Sequence, residues 1–234
     1  MASPFSRKAP NGLAGLTIEI SQMGALTEAQ LNDALNAFER RDIALAQKVR
    51  KNDERIDELH LQIEQNAVSI LQSERTDASA LREILTTIKI AAELERVGDL
   101  AKNIAKRTPV ISATPEIHVV SGVVRMGRRS LLQFSDVLDA YGSKNLMQAE
   151  AVWNADDEID EMNNVLFQDA LRAMMADPAL VTACTHLAFV AKNFERVGDH
   201  ATNIAECVYF LLTGDQLVGD RPKGDETPTT AVSI

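Results

Sequence analysis

Four pairs of carboxylates, each pair spaced four residues apart, carry the chemistry available to this sequence. They are Asp53 with Asp57, Glu95 with Asp99, Asp156 with Asp160, and Glu195 with Asp199. On an α-helix, residues i and i+4 share a face, so both acids of a pair can reach one ion. A ligand set made almost wholly of oxygen suits a hard cation such as Mg²⁺, Mn²⁺ or Ca²⁺, with iron also compatible. Asn103 and Asn203 lie one turn beyond Asp99 and Asp199 and add amide oxygens as further ligand candidates.

The pairs sit in phrases that are written twice. ERVGDLAKNIA begins at Glu95 and ERVGDHATNIA at Glu195, one hundred residues apart, and nine of eleven positions agree. DERID at Asp53 and DDEID at Asp156 repeat with an offset of 103. Glu95 and Asp99 continue the apolar stripe that Ile84, Ile88 and Ala91 begin. Glu195 and Asp199 do the same after Cys184, Ala188 and Ala191, whereas Asp53 and Asp57 fall at a stripe's edge. An acid entering a core-facing stripe is costly unless it is paired or bound to metal. Gly98 and Gly198 each cost a helix about 1 kcal/mol relative to alanine, which close packing of a backbone or an ion would explain.

A plainer reading stands beside the metal. Lys102 falls on the acidic stripe of the first copy, and Lys192 lies three residues before Glu195. Acid pairs on helices are commonly solvated or salt-bridged. A di-iron oxidase is disfavoured because the chain holds no Glu-x-x-His motif. There is no glycine-rich phosphate loop and no nucleophile with a neighbouring base, so a catalytic set is absent from the sequence. A carboxylate-bridged metal enzyme is the alternative to a binding or adaptor role.

Six helices are expected to position these residues: Leu16–Glu39, Ile43–Ser73, Ser79–Arg107, Val119–Ala140, Leu146–Met175, and one from Asp177 and Pro178 to Thr213. The prolines of TPVISATP, Thr108 to Pro115, are expected to stop the third helix. The fold class is therefore all-α, two pseudo-symmetric three-helix bundles from one duplicated unit. The expected divisions are a flexible 1–14, bundles over 15–110 and 116–213, and an unstructured tail over 214–234.

Of 234 residues, 45% are hydrophobic and only 4% aromatic, which favours aliphatic helix packing. The formal net charge of −10 argues against nucleic acid as a partner. Arg125, Arg128 and Arg129 form a small basic cluster, best read as a solvated helix face. Two cysteines outside any CxxC pair, Cys184 and Cys207, suggest no disulfide framework and a cytoplasmic location. No stretch approaches the roughly 20 apolar residues of a membrane span, so membrane association would run through partners.

LERVGDLAKNIAKR and FERVGDHATNIAE, each preceded by an acidic ID phrase on the previous helix, closely resemble the PhoU family of phosphate-signalling regulators. The resemblance covers about Ala25 to Leu212. It implies multinuclear metal clusters of iron or zinc on Asp53, Asp57, Glu95, Asp99, Asp156, Asp160, Glu195 and Asp199. With Thr202 in the place of Lys102, the second copy is the better site. The resemblance also implies a non-enzymatic negative regulator of phosphate uptake and of the phosphate-starvation response. Its partners would be a PstB-like ATPase of the phosphate ABC transporter and a PhoR-like sensor histidine kinase, and the protein is expected to be a homodimer.

Overall fold

The computed structural model describes residues 12–73, 77–115 and 117–217, with 224, 226, 227 and 230, excepting the side chains of Ser73 and Asp156. The described residues form seven α-helices and no strand: α1 (Gly12–Glu39), α2 (Ile43–Ser73), α3 (Ala78–Ser112), α4 (Val119–Ser143), α5 (Leu146–Asn154), α6 (Asp156–Ala176) and α7 (Val181–Thr213), with a 3₁₀ turn at Pro178–Leu180 before α7. The N-terminal stretch up to residue 11 and most of the expected unstructured tail lie outside the described residues.

Helices α1, α2 and α3 pack as one bundle; α4, the α5–α6 pair and α7 form the other. The bundles meet where α3 lies on α7 and α1 on α4. The duplication reaches into packing. At an offset of 103, the buried Ile20, Met23, Leu31, Ala34 and Phe38 of α1 correspond to the buried Val123, Met126, Phe134, Val137 and Tyr141 of α4. The crossing of α1 on α4 is symmetric as well. A Cβ on Gly24 would meet Leu138, and one on Gly127 would meet Leu35.

The turns repeat too. Among the described residues, Arg41 and Lys144 are the two non-glycine residues with positive φ, at 55° and 52°. After each, an amide recaptures the carbonyl five residues earlier: Asp42 N–H donates to Ala37 O (2.8 Å) and Asn145 N–H to Ala140 O (2.9 Å). The next side chain then caps the following helix, Asp42 accepting from Leu45 N–H and Asn145 from Gln148 N–H.

The helices depart from the sequence expectation in three places, and two of these departures have a physical cause. The expected Leu146–Met175 helix is broken at Ala155, where φ is −95° and ψ 12°. The next residues, Asp156, Asp157 and Glu158, put acid in the first turn of α6, which the helix dipole favours at a new N-terminus. Helix α3 runs through Pro109 to Ser112. Buried Ile111 anchors that last turn, and Ser112 Oγ donates to Arg41 O (3.1 Å), while Arg41 Nη1 reaches Thr114 O (2.8 Å). Helix α1 begins at Gly12, before the expected Leu16.

Candidate functional site

In the first half, helices α2 and α3 bring two acidic pairs to one face. Asp53, on α2, is buried. Its carboxylate accepts from Gln30 Nε2 of α1 (2.9 Å) and forms an ion pair with Lys102 Nζ of α3. Lys102 also lies 3.5 Å from Asp99 Oδ1. Gln30 Nε2 reaches on to Gly98 O at 3.3 Å. A lysine therefore sits where a cation would neutralise Asp53 and Asp99. Its ammonium pKa is raised, chiefly by the hydrogen bond to Asp53. Glu95 is half-buried, with Arg96 Nε 3.5 Å away. Burial raises the carboxyl pKa of Glu95, and burial followed by the charge of Asp53 raises that of Asp57.

The second half holds the same acids with a different neighbourhood. Glu195 is 5% exposed. Its Oε1 accepts from Lys192 Nζ (2.9 Å), and its Oε2 is buried with no hydrogen-bond partner. Burial pushes its carboxyl up to about 7; Lys192 opposes the shift, and the nearby charges of Asp199 and Asp160 add to it. Asp160 is buried and accepts from Gly224 N–H (2.8 Å). Thr202, at the place of Lys102, is buried and donates to Gly198 O within its own helix (3.1 Å).

Glu195, Asp199 and Asp160 are thus gathered, as are Asp53, Asp57, Glu95 and Asp99. The side chain of Asp156 lies outside the described residues. Among the described residues, no three acidic, histidine or cysteine side chains stand converged as a ready-made metal cage. The donor sets nonetheless differ in fitness. A buried carboxylate oxygen without a partner is a strong demand for a cation or proton, and among the described residues only the second face has one, Glu195 Oε2. Asn103 accepts from Lys106 Nζ (3.1 Å) on the surface. Asn203 donates to Glu93 Oε2 across the α3–α7 seam (3.1 Å).

Both glycines are closely packed. A Cβ on Gly98 would stand 3.0 Å from Ile56 Cδ1, and one on Gly198 would stand 3.1 Å from Ile159 Cδ1. The close approach there is made by a matching pair of isoleucines. Of the basic cluster, Arg128 pairs with Glu39 of α1 (2.6 Å) and Arg129 with Glu158 of α6 (2.7 Å), so both brace helices.

Sequence reading missed two groups. Gln30 and Gln133 are buried glutamines 103 residues apart that underlie the two faces, Gln133 Nε2 donating to Val152 O (3.3 Å). Carrying the 103-residue offset back into the first helix would have found them. Glu93 was the other. It accepts from His200 (2.6 Å) and Asn203, clasping bundle to bundle. Burial pushes its carboxyl up, but these hydrogen bonds outweigh burial and leave it below the ordinary value.

Comparison with known proteins bears on both halves. The PhoU domain model matches residues 20–108 and 123–208. The chain is 46% identical to the phosphate-specific transport system accessory protein PhoU homolog of Caulobacter vibrioides, covering 91% of this chain and 93% of that protein. It is 45% identical to the protein of the same description from Rhizobium meliloti, over 92% and 91% of the two chains. The crystal structure of PhoU from Pseudomonas aeruginosa superposes with a TM-score of 0.84 at 31% identity, covering 87% of this chain and 98% of that one.

Proposed function

The chain belongs to the PhoU family, and from that premise we propose that it is a negative regulator of phosphate uptake and of the phosphate-starvation response. It works as an adaptor on the cytoplasmic side, between the ATPase of a phosphate ABC transporter and a sensor histidine kinase. Family membership makes the chain a regulatory accessory protein and not an enzyme, which sets the carboxylate-metal enzyme aside. Among the described residues, no helix is long and apolar enough to cross a membrane, so contact with the membrane runs through partners.

The observation that carries this reading is the match of the family model to both repeats, each with its acidic phrase. Relatives named as transport accessory proteins match over nearly their full length. The test is deletion of the gene in its own host, with a phosphate-starvation reporter followed in phosphate-rich medium. Constitutive reporter activity, restored to the repressed level by the intact gene, is expected. A reporter that stays repressed after deletion overturns the role.

The second acidic face is proposed as the one that holds a cation. Glu195, Asp199 and Asp160 would hold it, and it would neutralise the buried Glu195 oxygen that has no partner. In the first face, Lys102 takes that part. Elemental analysis of untagged protein beside a Glu195→Gln, Asp199→Asn variant tests this. Metal present in the parent and lost in the variant is expected; equal content in both sinks the assignment.

A further inference from the structure

Beside the second acidic face, α6 holds a stretch of the chain's own backbone. Asn164 Nδ2 donates to Gly224 O (2.5 Å), and Asn164 Oδ1 accepts from Glu226 N–H (2.9 Å). One turn earlier, Asp160 Oδ2 accepts from Gly224 N–H (2.8 Å). One carboxamide therefore satisfies the carbonyl of one residue and the amide of the residue two further on. This is the pairing an adjacent β-strand would offer, made here by side chains one helical turn apart. These three bonds all go to main chain, so this pairing reads backbone, as strand-addition sites do. A Cβ on Gly224 would stand 3.5 Å from Asp160 Cβ, an ordinary contact, so the position is not restricted to glycine.

We propose that the Asp160–Asn164 edge of α6 is a binding site for an extended peptide segment, and that the C-terminal segment at Gly224 and Glu226 occupies it in cis. The occupant is the chain's own C-terminal segment, held through its main chain at Gly224 and Glu226, and the same segment presented in trans would compete for this edge. The first half has no such edge: His60 and Glu64 stand where Asn163 and Gln168's neighbour Phe167 do in α6, and the counterpart of Asn164, Leu61, is 56% exposed and offers no hydrogen bond.

Full-chain variants test the proposal through hydrogen exchange and peptide binding. In the parent, the Gly224 and Glu226 amides should exchange more slowly than in an unstructured peptide by about tenfold or more, the effect of ~1.4 kcal/mol. Gly224→Ala, which keeps the amide, should retain that protection. Gly224→Pro, which removes it, and Asn164→Leu, which removes the carboxamide, should both release the segment. A fluorescent peptide with the sequence of residues 219–231 should then bind the Gly224→Pro chain about tenfold more tightly than the parent. Adding Asn164→Leu to that chain should abolish the binding. Unprotected amides in the parent overturn the proposal. So does a Gly224→Pro chain that fails to bind the peptide, because Gly224 lies outside the helices and its substitution leaves the edge intact. Neither readout measures phosphate signalling, so failure here and failure of the adaptor role are separately visible.

Discussion

The two halves of the molecule carry the same acids and solve their charge differently. In the first, Asp53 and Asp99 have Lys102 between them, a cation built into the chain. In the second, Thr202 fills that place and turns back to its own helix, and Glu195, the counterpart of Glu95, has Oε2 buried without a partner. Duplication copied the scaffold down to its left-handed turn residues, while the lysines diverged: Lys102 serves the first face, and Lys192, where the first half has Ala92, serves Glu195 in the second. A second contrast lies further along the same helices. Glu19 of α1 is buried and clasped by Gln62 and Asn66 of α2 (2.9 and 2.7 Å). At the equivalent place α4 and α6 offer Gly122, Val165 and Asp169, and a cavity of about 350 Å³ opens there.

The sharpest way to break this contrast is to make the first face like the second. Lys102→Thr leaves a buried Asp53 carboxylate with Gln30 as its remaining donor. Removing one partner of a buried pair should destabilise the chain by roughly 3 to 5 kcal/mol, read by urea denaturation at neutral pH without divalent cations. Millimolar divalent cation should recover part of the loss in the variant and none in the parent's first face. A variant as stable as the parent would show that Lys102 is a bystander and that the two faces are equivalent.

The next effect is one of pH. Burial holds the Glu195 carboxyl at about 7, against an ordinary 4.5. The folded, cation-free chain then keeps a proton that the unfolded chain has released. The stability this contributes is fully present below pH 4.5 and is lost as pH rises through 7. Glu195→Gln should remove that slope, gaining roughly 2 to 3 kcal/mol over the parent at pH 8. Cation binding needs the carboxylate, so affinity in the parent should climb over the same interval. Denaturation curves of parent and variant at several pH values check the point; parallel pH profiles would mean that Glu195 is already ionised in the fold.

Much of this was legible because helical periodicity and the repeated phrases act locally. The spacing of Glu95 and Asp99 put both acids on one face, and Lys102 on the same stripe already hinted at its ion pair. The break at Ala155 was not legible, because α2 runs unbroken through the corresponding residues and apolar spacing alone does not distinguish the two. Pro109 misled for the opposite reason: tertiary anchoring of Ile111 and Ser112 outweighed a local breaker. The Glu93–His200 clasp and the tail on Asn164 join residues 107 and 60 or more positions apart, and no local pattern announces contacts of that range.

The α1–α4 crossing offers the mildest test of how far the halves have diverged. Both helices place a glycine under a leucine of the other, but the surroundings differ. A Cβ on Gly24 would stand 3.1 Å from Leu138 Cδ2, and Leu138 is only partly buried and free to turn aside. A Cβ on Gly127 would stand 2.8 Å from Leu35 Cδ1 and 2.8 Å from Phe194 Cζ, both on side chains sealed in the core. Overpacking there should cost Gly127→Ala about 1 to 3 kcal/mol. Gly24→Ala should be neutral or gain as much as about 1 kcal/mol, because alanine is the better helix former and its neighbour yields. Thermal or urea denaturation of the two single variants separates these outcomes. Equal losses would mean that the crossing has stayed symmetric and that Phe194 yields as readily as Leu138, placing the divergence of the halves wholly at the acidic faces.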